Sequence, residues 1–439
     1  MRRSSWLSPL VRGWCWPSRS RCRPGCRRRA SPRAGPGSAE ATGVCRGGSV
    51  AAPGLERAPG ILIVAVRDAE IVSVGTETVV VTFVTDADER VTTRVGGQET
   101  VTEGPVHVAT FADLVPEVVH EVEVEGHRGD DPHLPPSVRT LPAPAGRLLA
   151  HFATVNDVHF GETECGVIEG VMEEEFGPVL RALPGEPPYP LTMNLAAIAE
   201  IDSTNPQGVV VKGDLTCRGT EEEYAAFCDA YGVFGARLHH VRGNHDAMLD
   251  ATMAVNDAPF AIDVGGVTLA VLDTVLPGSE QGRLAGEQVH WLDDLASTVT
   301  GPVMVFGHHH VWDLDAETRS TKYFGIAPDD SEALAAVVAR RENVVGYFAG
   351  HTHRHRVRRF DRARDVPFVE VGCTKDYPGV WAEYHVYEGG YTQTVHRIGT
   401  RVPAPAALEW TERTRPMFAG LYRDYALGSL AERCFTQAY

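Results

Sequence analysis

"VVKGDLTCRG", residues 210–219, decides how this chain folds. A β-branched run stops on Gly213 and a lone carboxylate, Asp214. The run reads as a buried strand. The glycine lets the backbone turn sharply, and a polar group just past a strand's carboxyl end sits where α/β sheets gather ligands. The same punctuation recurs along the chain. "FATVNDVHFG" supplies Asp157 and His159, and "HHVRGNHDA" supplies Asn244 and His245. "VMVFGHHHVW" supplies His308, His309 and His310, and "GYFAGHTHRH" supplies His351 and His353. Any one of these blocks also reads as a turn, a helix cap or a solvated histidine loop. Five of them at strand ends of one domain point to a shared metal site.

Between the blocks lie segments with helical character: "YPLTMNLAAIAEIDS", "TEEEYAAFCDAYG", "GEQVHWLDDLAS" and "DDSEALAAVVARREN". Strands alternating with helices of this length predict an α/β domain over 146–400. Before it, from Ile61 to Ala145, short strands such as "TVVVTFVT" and "VHEVEVEG" are separated by Gly, Asp and Pro turns. They predict a small all-β sandwich over 61–145 that packs or positions rather than reacts. Residues 1–60, rich in Arg, Pro, Ser and Gly, read as a disordered tail or as a transit-type or nucleic-acid-binding arm. Residues 401–439 read as a C-terminal helical extension.

The 439-residue chain carries a net charge of −17, and its first sixty residues hold twelve arginines against two glutamates. The remainder is therefore near −27. So acidic a body disfavours nucleic acid as a general partner. No stretch approaches the roughly 18 consecutive apolar residues of a membrane helix, so no membrane partner is expected. Cys165, Cys217, Cys228, Cys373 and Cys434 are scattered singly, which fits a reducing cytoplasm better than a disulfide framework.

The order D-x-H, GD, GNHD, V-x-x-H, GHTH over residues 150–355 resembles the calcineurin-like metallophosphoesterase superfamily. "GDLTCRGTEEEYAAF" and "ARRENVVGYFAGHTHRHRV" look most like bacterial class III cyclic nucleotide phosphodiesterases and glycerophosphodiesterases. The resemblance implies a β-sandwich core flanked by helices (α/β/β/α). It implies two divalent ions, Mn, Fe or Zn, one held by Asp157, His159 and His353 and the other by Asn244, His308 and His351. Asp214 would bridge them, and His309 is the fallback for His308. His245 would protonate the leaving oxygen during in-line attack by a metal-bridging hydroxide. The implied activity is hydrolysis of a small diester, a 3',5'-cyclic nucleotide or glycerophosphodiester; the alternatives are a phosphomonoesterase or a non-catalytic metal-binding protein.

The chemistry accounts for the residue types. Phosphate-ester hydrolysis near neutral pH needs an acidified water and neutralisation of a highly charged transition state, and two dications about 3.5–4 Å apart supply both. Mixed nitrogen and oxygen donors suit Mn, Fe or Zn better than Ca.

Three features concern specificity. Cys217 stands where many relatives carry an aspartate that partners the GNH histidine, so His245 is expected to lack that carboxylate unless Asp246 or Asp273 replaces it. Arg218 is a candidate phosphate contact, or a partner for the acidic "TEEE". The segment 161–190, long, acidic and Pro-rich, is a candidate wall of the cleft.

Overall fold

The β-branched runs before all five ligand-type blocks are strands, each ending within a few residues of the predicted turn. The computed structural model describes residues 65–127, 131–166 and 179–439. The tail over 1–60 and the centre of the 161–190 segment lie outside these residues. Val64–Tyr439 form one compact unit.

The all-β segment comprises β1 (Arg67–Val74), β2 (Val79–Val95), β3 (Gln98–Phe111), β4 (Val119–Val124) and β5 (Ser137–Arg139). They make one continuous five-stranded sheet, in which β2 pairs with β1, β3 and β4. This sheet belongs to the same compact unit as the α/β part. Glu70 of β1 is fully buried and is bound by Arg397 at 3.2 Å and Arg415 at 2.7 Å. Burial opposes its ionisation, but the guanidiniums outweigh burial and hold it far below the carboxylate range.

The α/β part contains two six-stranded sheets. One holds β6 (Leu148–Val155), β7 (Gly208–Lys212), β8 (Leu238–Val241), β15 (Val380–Tyr387), β16 (Gly390–Arg397) and β17 (Phe435–Ala438). The other holds β9 (Phe260–Val264), β10 (Val267–Val271), β11 (Val303–Phe306), β12 (Val344–Ala349), β13 (Arg356–Arg358) and β14 (Phe368–Glu370). The sheets pack face to face. Phe152, Val210 and Tyr384 of one meet Leu269, Phe306 and Phe348 of the other in a shared apolar core. Phe152 and Phe306 touch edge to face at 5.9 Å. Each such ring contributes about 1.5–3 kcal/mol through burial.

Helices cover both outer faces. On the β6–β7 side lie α1 (Tyr189–Ser203) and α2 (Glu221–Tyr231), with Met193, Ile201 and Phe227 in one cluster. On the other side lie α3 (Gly286–Thr298) and α4 (Pro328–Arg340), packing through Leu292 and Leu334. The expected α/β/β/α architecture is therefore present. Among the described residues no helix is long and apolar enough to cross a membrane.

The C-terminal region differs from the expected helical extension. Helices α5 (Pro405–Thr414), α6 (Tyr422–Leu427) and α7 (Leu430–Arg433) are followed by β17, which pairs with β16. The outer strand β16 presents unpaired backbone groups on that edge, and the chain's last residues satisfy them.

Candidate metal centre

β6, β7 and β8 run parallel in one sheet, and β10, β11, β12 and β14 run parallel in the other. Parallel pairing puts all their carboxyl ends at one edge, so groups more than 190 residues apart in the chain meet there. Asp157, His159, Asp214, His351 and His353 all sit at positive φ, between 47° and 69°. This left-handed backbone is uncommon for residues with a Cβ and most tolerated by Asp, Asn and His. Such strain clusters where a site needs side chains turned inward. The glycines leave room for them. Gly213 has φ 88°, and a Cβ there would come within 2.5 Å of the His308 ring. At Gly243 a Cβ would lie 2.2 Å from Asp214 Oδ1.

Asp214 stands at the middle. Its Oδ2 is 3.5 Å from His159 Nε2, and its Oδ1 is 3.3 Å from His308 Nε2. The His245 backbone N–H donates to the same Oδ1 at 2.9 Å. His308 Nε2 also lies 3.0 Å from Asn244 Oδ1, while its Nδ1 faces the Lys212 carbonyl at 2.8 Å. That carbonyl commits Nδ1 as the donor and leaves Nε2 turned toward the centre. On the other side, His353 Nε2 is 3.6 Å from Asp157 Oδ1, and the backbone N–H of His351 donates to Asp157. Asp157, His159 and His353 bring one ligand atom each within 4.8 Å of one another, as do His308, His309 and His351.

The donor set fits two cations. Neither ring nitrogen of buried His159 has a hydrogen-bond partner, and the Nε2 atoms of His309 and His351 are likewise buried and unpartnered. Lone pairs sequestered this way are costly unless something binds them. Burial lowers the His159 pKa to about 4, so the ring stays neutral. Asp214 behaves oppositely: burial disfavours its charge, but the His308 and His245 rings outweigh burial and hold its pKa well below the carboxylate range. His308 rises to about 9 against the effect of burial because Asp214 is beside it. A cation held at Nε2 would take the place of that proton.

Of the three consecutive histidines, His308 touches both Asp214 and Asn244. His309, the fallback, turns its Nδ1 to the Thr274 hydroxyl at 2.9 Å and packs its ring against His351. His310 is half-buried, with its ring 6.4 Å from that of Phe324.

His245 Nδ1 faces the backbone carbonyl of Cys217 at 2.7 Å. The partner supplied at position 217 is thus main chain, whatever the side chain. The expected substitutes are engaged elsewhere. Asp246 accepts from the backbone N–H groups of Leu215, Thr216 and Gly243, pinning two ligand loops together, and Asp273 pairs with Arg242. Burial pushes the Cys217 thiol up to about 12, so it remains protonated. Arg218 is exposed and stands 3.8 Å from Glu223, with no closer side-chain partner among the described residues.

Several contributors carried no sequence signal. Glu162 Oε2 is 3.3 Å from His159 Nδ1, and its Oε1 pairs with buried Lys375 Nζ at 2.8 Å. Lys375 also contacts Asp376 at 3.0 Å, which lies 3.9 Å from His353 Nδ1. The segment "CTKDYPG" follows β14 as the histidine blocks follow their strands, but it presents Lys and Asp behind the site rather than ligands in it. Groups behind a metal ligand set its orientation and basicity, and losing one typically weakens affinity 10–100-fold. Glu162→Gln is expected to weaken the first ion by about that factor, read by competition with a fluorescent chelator; unchanged affinity would assign Glu162 to packing alone.

Residues 150–355 match the family model described as calcineurin-like phosphoesterase. A probable cyclic nucleotide phosphodiesterase of Synechococcus sp. is 25% identical over 163 residues, covering 36% of this chain and 62% of that protein. A glycerophosphodiester phosphodiesterase of Enterobacter lignolyticus is 29% identical over 160 residues, covering 34% and 56%. A cAMP/cGMP dual specificity phosphodiesterase of Mycobacterium tuberculosis is 28% identical over 160 residues, covering 34% and 49%. The chain thus spans 49–62% of the length of these relatives. Strand-end donors in the order of the sequence motifs, converging at one edge of a two-sheet sandwich, and the family match over the same residues identify 150–355 as a calcineurin-like phosphoesterase domain.

Proposed function

We propose that the chain is a dinuclear-metal phosphodiesterase acting on a small diester, of the class of 3',5'-cyclic nucleotides and glycerophosphodiesters. The observation that carries this is Asp214, with one oxygen toward His159 and the other toward His308 at 3.5 and 3.3 Å. A single carboxylate between two donor sets would be shared by two ions, Asp157, His159 and His353 holding one and Asn244, His308 and His351 the other. When bound, two divalent ions supply an acidified water and neutralise the charge of the transition state.

The chain's own residues do the rest. Held through Nδ1 by the Cys217 carbonyl, His245 delivers a proton to the leaving oxygen. Arg218, one residue from that carbonyl and only loosely paired, contacts the substrate phosphate. Phe324, with its ring 4.1 Å from that of His351, supplies an apolar wall beside the second ion. The similarity to phosphodiesterases of Synechococcus sp., Enterobacter lignolyticus and Mycobacterium tuberculosis supports a diester.

The test reloads the metal-stripped full chain with Mn²⁺ and compares bis(p-nitrophenyl) phosphate with p-nitrophenyl phosphate, using Asn244→Ala as the blank. Faster diester turnover is expected. Faster monoester turnover would move the reading to a phosphomonoesterase, and metal binding without turnover of either would make this a binding protein.

A further inference from the structure

A second group of metal-type side chains lies away from the centre, on the outer face of the β6–β15–β16 sheet. Along β15, Val380, Ala382, Tyr384 and Val386 enter the core between the sheets, so Glu383 and His385 point the opposite way. Along β6, Ala150 and Phe152 are in that core and His151 faces outward with Glu383 and His385. His385 is directly opposite His151 in the antiparallel register, and Glu383 is two residues from His385 on the same face. Two strand positions at i and i+2 with a cross-strand neighbour bring three side chains to one point.

The rings of His151 and His385 stack at 4.5 Å, 1° from parallel. His151 Nε2 is 2.9 Å from Glu383 Oε1, and His396 Nε2 is 2.8 Å from Glu383 Oε2. Arg401 reaches the same Oε2 at 3.5 Å. Glu383 is therefore buried and held in one orientation from behind. Among the described residues, no protein group hydrogen-bonds to either ring nitrogen of His385. Burial lowers the His385 pKa, and the neighbouring His151 and His396 add to that against the pull of Glu383, so the ring is a neutral donor. A ligand atom each from His151, Glu383 and His385 lies within 4.8 Å of the others. The site is also remote from the dinuclear centre: six residues of extended chain, roughly 20 Å, separate His151 from Asp157.

We propose that His151, Glu383 and His385 bind one divalent transition-metal ion, independently of the pair at Asp214. Two imidazoles and one carboxylate favour Zn²⁺ or Cu²⁺ over Mg²⁺ or Ca²⁺. The partly open side leaves a position for water. On binding, His151 Nε2 exchanges its contact with Glu383 for the ion, and the ring proton sits on Nδ1. His396 is a positioning residue that keeps Glu383 Oε1 turned toward the ion. The ion would tie β6, which leads into Asp157 and His159, to β15.

The experiment counts Zn²⁺ per full-length chain by equilibrium dialysis and elemental analysis, in wild type and in His385→Ala. One ion fewer is expected in the variant, with diester turnover unchanged. A second variant, His396→Gln, retains all three ligands and is expected to weaken that one ion about 10–100-fold. Asp214→Asn, alone and combined with His385→Ala, supplies the backgrounds in which this ion's share of the zinc-dependent rise in Tm is read as the difference between the two. Equal zinc content in wild type and His385→Ala, or an equal zinc-dependent rise in Tm in the two Asp214→Asn backgrounds, overturns the proposal. A failure of the dinuclear reading would remove ions equally from wild type and His385→Ala and leave their difference intact.

Discussion

Asp214→Asn is expected to lower bis(p-nitrophenyl) phosphate turnover about 10³-fold, the scale seen when one preorganised electrostatic group is removed. It should also leave at most one ion at the centre. Asparagine keeps the shape, so the backbone N–H of His245, which Asp214 accepts at 2.9 Å, retains a partner. What disappears is the charge and the second equivalent oxygen. Both matter because Asp214 is, among the described residues, the one carboxylate that reaches His159 on one side and His308 on the other. Crowding prevents a rescue by movement, since Gly243 and Gly213 are packed against Asp214 and His308. Metal analysis and steady-state rates on the same preparation check the two halves together. Two tightly held ions with turnover within tenfold of wild type would remove Asp214 from the bridging role.

His245→Ala is expected to divide substrates by leaving group. Diesters that expel an alkoxide need a proton at the departing oxygen, and their hydrolysis should slow about 10²–10⁴-fold. Esters of p-nitrophenol leave as a stabilised phenolate and should slow far less. Cys217→Ala should change neither appreciably, because His245 Nδ1 is held by the carbonyl of residue 217 and not by its side chain. The sequence reading differs, since there the missing carboxylate at 217 leaves His245 without a partner unless Asp246 or Asp273 supplies one. Equal slowing of both substrate types in His245→Ala would assign His245 to phosphate binding instead of proton transfer.

The sequence alone determined much about this protein. Short apolar runs, four of the five halted by glycine and each followed by Asp, Asn or His, are local features that propensity and turn chemistry enforce, and all five became strand ends at the candidate centre. The helices over 189–203, 221–231, 286–298 and 328–340 were legible for the same reason; α2 even carries its own start signal, the Thr220–Glu223 capping box. Only the tertiary structure decided which ring nitrogen of His308 faces inward, that His245 leans on a main-chain carbonyl, and that Glu162, Lys375 and Asp376 stand behind His159 and His353. It also decided that the last residues form β17 and that His151 meets His385. Each of these depends on which strand lies beside which. Register and sheet packing join residues far apart in the chain, and one-dimensional periodicity carries no record of those neighbours.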